Sequence, residues 1–127
     1  MKVYLAARFE RRHEIRPVRD DLWKMGHEVV STWFDEVARR EDMPIDTFYK
    51  KLALKDIAQI ESADLFILDT EIPSERGGKE VEYGYAIGQF QRIMVWIVGP
   101  ARNVFHQLAD RRFNTWAECL IVLGEMA

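Results

Sequence analysis

The sequence predicts an α/β fold: a single three-layer α/β/α domain over residues 1–127, flavodoxin- or Rossmann-like, built on a five-stranded parallel sheet. Three observations carry this expectation. Short apolar runs alternate with segments of helical period. The runs Val3–Ala7, Ala63–Asp69 and Ile93–Val98 are apolar nearly throughout, as strands buried on both faces are. Turn residues separate the segments: Gly26, then Pro73 with Gly77 and Gly78, then Gly99 and Pro100.

Four strands can be placed. Val3–Ala7 is the first. Glu10–Met25 then has Ile15, Val18, Leu22 and Met25 on one helical face; Pro17 either begins the regular helix or kinks it, and Gly26 stops it. Glu28–Thr32 reads as the second strand, and the polar stretch Trp33–Met43 as a loop or lid. Pro44–Ser62 is a long helix with Phe48, Leu52, Ile57 and Ile60 as its apolar set. Strand Ala63–Asp69, loop Glu71–Gly78, helix Glu80–Phe90 and strand Ile93–Val98 follow. Asn103–Leu108 is a short helix, and Thr115-x-x-Glu118 is a capping box that opens a last helix through Leu123. Ligands in such sheets bind beyond the carboxyl ends of the strands. Those ends are residues 6–9, 32–34, 69–78 and 99–103.

Composition narrows the function. A chain of 127 residues, 48% hydrophobic and 31% charged, suits one soluble core. Its net charge of −3 argues against a nucleic-acid polymer as partner. The single cysteine, Cys119, excludes an internal disulfide and a multi-cysteine metal site, and reads as a buried thiol. His13, His27 and His106 lack ligand spacing, so no metal is expected. The first apolar run is stopped by Arg8 and Glu10, too soon for a signal peptide, and no run reaches membrane-spanning length. A cytoplasmic protein without membrane partners is expected.

The chemistry concentrates in Gly77-Gly78-Lys79-Glu80-Val81-Glu82-Tyr83-Gly84-Tyr85-Ala86. Two glycines follow a buried strand and open a helix, whose free N–H groups favour an anion. Glu82 shares a row with Ala86 and Phe90, and Gly84 leaves room beside it. Asp56 interrupts the row of Leu52 and Ile60, and a buried carboxylate is costly unless paired or used. A helix-edge ion pair with Lys55 or an arginine is the plain alternative. Of Arg8, Arg11, Arg12 and Arg16, Arg11 is expected to be solvated, whereas Arg8 and Arg12 can meet an anion.

These residues resemble the nucleoside 2-deoxyribosyltransferase family, including its nucleoside 5′-monophosphate N-glycosidase relatives. The resemblance spans nearly the whole chain: Lys2 to Phe9 with Arg11-Arg12, Gly26 to Val29 with Trp33, Asp56 to Asp64, Gly78 to Ala86, Gly99-Pro100 with Asn103 to His106, and Phe113-x-Thr115-Trp116. It implies that Glu82 is the nucleophile and that Asp56 takes part in proton transfer. It implies that Ser74 contacts a 5′-phosphate and that the backbone of Gly78 approaches the ligand. Ala7, Arg8, Phe9 and Arg12 would form the loop after the first strand, and Phe9 and Trp33, ahead of Tyr4, would stack on the base. It implies a homodimer with sites near the interface, to which the neighbour lends Asn103 or His106, and no cofactor. The transferases carry a carboxylate six residues before the nucleophile; here that position is Arg76, which favours a nucleotide unless it pairs with Glu75 or Glu80. The apolar run Leu120–Leu123 is a further expected source of interface. The function implied is hydrolysis of a (deoxy)ribonucleoside 5′-monophosphate to free base and sugar 5-phosphate. The alternatives are base exchange by a deoxyribosyltransferase and a non-catalytic nucleotide-binding module.

Overall fold

A computed structural model describes residues 1–36 and 42–127. Five parallel strands form one sheet in the order β2-β1-β3-β4-β5: β1 Lys2–Ala6, β2 Glu28–Val29, β3 Leu65–Asp69, β4 Met94–Val98 and β5 Arg111–Phe113. Four α-helices cover it: α1 Arg12–Lys24, α2 Ile45–Ser62, α3 Gly78–Ile87 and α4 Trp116–Glu125. α1 packs on α4 and α2 on α3. The result is the expected three-layer arrangement. β3 is central, and Leu65, Phe66, Ile67 and Leu68 are wholly buried, which is why that run shows no alternation.

The register levels the strand ends. Ala6 pairs with Leu68, and Leu68 with Ile97, so the chain leaves β1, β3 and β4 at one height. β1 leads outward to β2, while β3 leads the other way to β4. The crevice between the ends of β1 and β3 is therefore the topological switch point of the sheet.

Local chemistry explains where the elements start and stop. α1 ends in a Schellman motif, with Gly26 N–H on Trp23 O at 3.0 Å and His27 N–H on Leu22 O at 3.0 Å. It begins before Pro17, which lies inside the helix and withholds a donor from the turn preceding it. β2 is shorter than expected because side chains replace its ladder. Ser31 Oγ accepts the Leu5 N–H at 3.0 Å, and the Trp33 indole donates to Leu5 O at 2.6 Å. Trp33–Asp35 form a 3-10 turn, and residues 37–41 of the expected loop or lid lie outside the described residues. β5, which the sequence reading did not place, is three residues long, and only Phe113 in it is buried.

Two helices differ from the sequence pattern. In α2 only Ile60 is fully buried; Phe48 and Leu52 of its apolar set line a cavity instead. α3 ends at Ile87, so Phe90 is not in the row of Glu82; it is 91% exposed in the turn that follows. The last helix keeps its cap, with Thr115 Oγ1 accepting the Glu118 N–H at 3.2 Å. Its Cys119 is buried, which pushes the thiol up to about 12. Of Leu120–Leu123, Leu123 faces the core and only Ile121 is strongly exposed.

Candidate active site

A cavity of about 670 Å³ opens at the switch point, a size suited to a small-molecule ligand. Glu82 and Asp56 reach it from different helices, α3 and α2. Ala7, Arg8, Phe9, Trp33, Ser74 and Gly78 also line it. Eight of the residues expected to form the site are thus brought together. Arg12, Asn103 and His106 do not line it.

Burial governs the carboxylates. Desolvation pushes Glu82 up to about 8; the Tyr4 hydroxyl opposes the shift, and the charges of Asp56 and Glu36 add to it. Tyr4 is wholly buried, its ring stacked on Phe66 at 5.5 Å, and its hydroxyl donates to Glu82 Oε2. Tyr4 therefore orients the glutamate from below and is not a base platform. Desolvation also pushes Asp56 up to about 6, helped by Glu36 and opposed by Lys55. Asp56 Oδ1 is buried with no hydrogen-bond partner among the described residues, an environment that favours its protonated form. Lys55 is not paired with Asp56: its Nζ donates to Glu36 Oε1 at 2.8 Å. Glu36 is a further carboxylate in the cavity wall whose charge acts on both Glu82 and Asp56, inside a polar stretch without period where no sequence signal marks it. The three are not gathered closely enough to hold a metal ion.

The aromatic wall is built from Phe9 and Trp33, whose ring centroids lie 6.3 Å apart with planes 55° off parallel. Trp33 is fixed by its bond to Leu5 O, whereas Phe9 is 47% exposed and free to adjust to a ring. The Arg12 guanidinium lies over the outer face of this wall, 4.4 Å from the Phe9 centroid.

Cations line the same cavity: Arg8, Arg76 and Lys79. Arg8 is held by Glu10 at 3.0 Å and Glu75 at 2.5 Å. Since Glu75 is engaged by Arg8 and Glu80 by His106, neither offers Arg76 the ion pair considered above. Ser74 Oγ accepts the Gly77 N–H at 2.9 Å, which leaves its own hydrogen free to donate. Gly77 adopts φ 84°, the left-handed turn that starts α3 beneath this loop. Gly84 sits exposed and off the cavity.

Three further residues have clear structural tasks. Asn103 Oδ1 caps the 3-10 turn Val104–Leu108, accepting the N–H groups of Phe105 at 2.9 Å and His106 at 3.2 Å. His106 is buried; its Nδ1 accepts the Arg102 N–H at 2.9 Å, so its Nε2–H donates to Glu80 at 2.9 Å. Arg11, expected to be solvated, instead bonds the buried Asp69 at 2.9 Å, and Trp116 Nε1 donates to the same oxygen at 2.7 Å.

No protein-family model and no curated protein matches the chain in sequence. Solved structures match its shape. A 2-deoxyribosyltransferase from the psychrotolerant bacterium Bacillus psychrosaccharolyticus superposes with TM-score 0.73 at 18% identity, over 97% of this chain and 96% of that one. A CMP N-glycosidase from Clostridium botulinum superposes with TM-score 0.59 at 22% identity, over the full length of both. In fold, this chain is like a 2-deoxyribosyltransferase and a CMP N-glycosidase along essentially its entire length.

Proposed function

We propose that the protein is a member of the nucleoside 2-deoxyribosyltransferase family and hydrolyses the N-glycosidic bond of a nucleoside 5′-monophosphate. One observation carries the reading: Glu82 and Asp56 arrive from separate helices in one cavity, one held by a tyrosine hydroxyl and the other buried in a form that favours its proton. As the C1′–N bond breaks, the bonding electrons leave with the base and positive charge builds on the sugar. The Glu82 carboxylate captures C1′ as an ester, and Asp56 protonates the departing base. Water then attacks C1′, Glu82 leaves as carboxylate, and the water's surplus proton returns to Asp56.

Phe9 and Trp33 stack on the base in this reading. Ala7 and Gly78 line the sugar, and Arg8 with Ser74 binds the 5′-phosphate through charge-assisted hydrogen bonds. Arg12 supports Phe9. A homodimer would bring Asn103 or His106 towards a neighbouring site, and it would cover Val104, Phe105 and Leu108, large apolar side chains left exposed on the single chain.

The test is to incubate the protein with each common ribo- and deoxyribonucleoside 5′-monophosphate, and with the matching nucleosides, and to follow base release by chromatography. Release from monophosphates in preference to nucleosides is expected. Base exchange is the second reading, favoured by the higher TM-score of the deoxyribosyltransferase. A second free base added to the incubation distinguishes the two: a new nucleoside or nucleotide marks a transferase, sugar 5-phosphate a hydrolase.

A further inference from the structure

Beyond β3 the backbone turns four successive carbonyls towards two cations. Lys79 Nζ donates to Asp69 O at 3.0 Å and to Ile72 O at 2.5 Å. Arg102 donates to Thr70 O at 2.7 Å and to Glu71 O at 3.0 Å. Gly99 lets the neighbouring strand end close against this run, since a Cβ there would lie 2.5 Å from Thr70 Oγ1 and 3.0 Å from Glu71 N. The loop is thus folded around two cations, Lys79 buried and Arg102 exposed.

The two cations are not equivalent. Arg102 stays outside the cavity, whereas Lys79 lines it beside Ser74, Arg76 and Gly78. Lys79 is 5% exposed, on the inward row of α3 with Tyr83. Among the described residues no carboxylate oxygen lies within ion-pair distance of it, and two of its three N–H donors are taken by carbonyls. Burial lowers its pKa, with Asp69 and Glu80 opposing the shift. An ammonium buried against carbonyls alone is costly, and an arriving anion would offset that cost. Building on the nucleotide reading above, we propose that Lys79 determines selection of the 5′-phosphate, because its ammonium shapes the Asp69–Ile72 loop and places an unpaired positive charge at the cavity wall beneath Ser74 and Arg76.

The experiment compares wild type with Lys79→Met and Lys79→Gln. Each is measured for kcat/KM on a nucleoside 5′-monophosphate and its nucleoside, and for binding of ribose 5-phosphate and ribose by calorimetry. For a variant that keeps a cooperative melt, the ratio of nucleotide to nucleoside kcat/KM is expected to fall roughly 10- to 100-fold, the factor one charge-assisted hydrogen bond supplies. Affinity for ribose 5-phosphate should fall by a similar factor and affinity for ribose should not, and whatever the nucleoside rate loses through the altered loop, the nucleotide rate should lose that factor in addition. Equal loss on nucleotide and nucleoside, or unchanged ribose 5-phosphate binding, would overturn the assignment and leave Lys79 a brace of the fold. Should neither variant fold, the wild-type Lys79 side-chain resonances decide: they move on titration with ribose 5-phosphate and not with ribose, or the assignment fails. Lys79-dependent binding of ribose 5-phosphate without any base release would refute the cleavage reading and leave the Lys79 assignment standing.

Discussion

The acids on α2 and α3 and the cations that share their cavity are held by different means. On the side of α2 and α3, Glu82, Asp56 and Glu36 face one another with one lysine between them, and burial drives two of these acids towards their protonated forms. Among the cations, Arg8 is paired with Glu10 and Glu75, whereas Lys79, in the first turn of α3, is held by two carbonyls and has no carboxylate partner among the described residues. The acids are therefore destabilised by burial until a ligand arrives, while the cations are fixed in position beforehand, Lys79 with its charge still uncompensated. Reactivity resides where the fold leaves groups unsatisfied; positioning resides where it satisfies them.

The sharpest way to break this contrast is at Glu82. Glu82→Gln keeps the shape and a hydrogen-bonding partner for Tyr4 but removes the nucleophile. Base release should drop by at least roughly a thousandfold in a folded protein, as loss of a covalent catalyst does. Near-normal turnover by this variant sinks the assignment. Asp56→Asn should cost about 10²- to 10⁴-fold, the range for a general acid, with little change in melting temperature. A variant that keeps its rate and only melts earlier would make Asp56 a structural group.

The pH profile tests the pair in the unmodified protein. The reaction needs Glu82 ionised and Asp56 protonated, so the two must hold one proton between them. With Asp56 at about 6 and Glu82 at about 8, that proton rests mainly on Glu82, so the reactive arrangement is the minor singly protonated form, and kcat/KM should still peak between those values. It falls below about 6 as both become protonated and above about 8 as both ionise. A rate that is flat from pH 5 to pH 9 contradicts this pairing.

Stability gives the smallest effect and the cleanest sign. Glu82 is raised from its ordinary 4.5 to about 8 in the fold, so the folded chain binds the extra proton across that interval. Its contribution is fully present below pH 4.5 and is lost as pH rises through 8. Glu82→Gln should therefore melt higher than wild type at pH 8, by roughly 10 °C or more, and nearly alike at pH 4.5. An equal difference at both pH values would show that the glutamate is not buried as described.

The sequence disclosed the two acids because each departs from a local pattern, one in an apolar row and one after a glycine-opened turn. It disclosed β1, β3 and β4 because strands covered on both faces are written as apolar runs. It concealed β5, where three residues hold a place through backbone bonds with little apolar content. It suggested too long a β2, since nothing in residues 28–32 announces that a serine and a tryptophan will take over the ladder. Arg11 and Lys79 were hidden for a related reason: a cation buried against carbonyls or one distant aspartate has no sequence period. Glu36 looked like any charge in a polar stretch until α2 brought Lys55 to it.

The bond from Tyr4 to Glu82 joins residues 78 positions apart. Between them lie two complete crossovers, each of which closes a long loop before any contact rewards it. A nascent chain that has not yet yielded α3 can bury Tyr4 and Asp56 but owns no acid at position 82. Catalytic competence is consequently a property of the finished topology, and recovered activity during refolding reports assembly of β2, β1 and β3 with α3 docked on them, where a helix-sensitive signal would report far less.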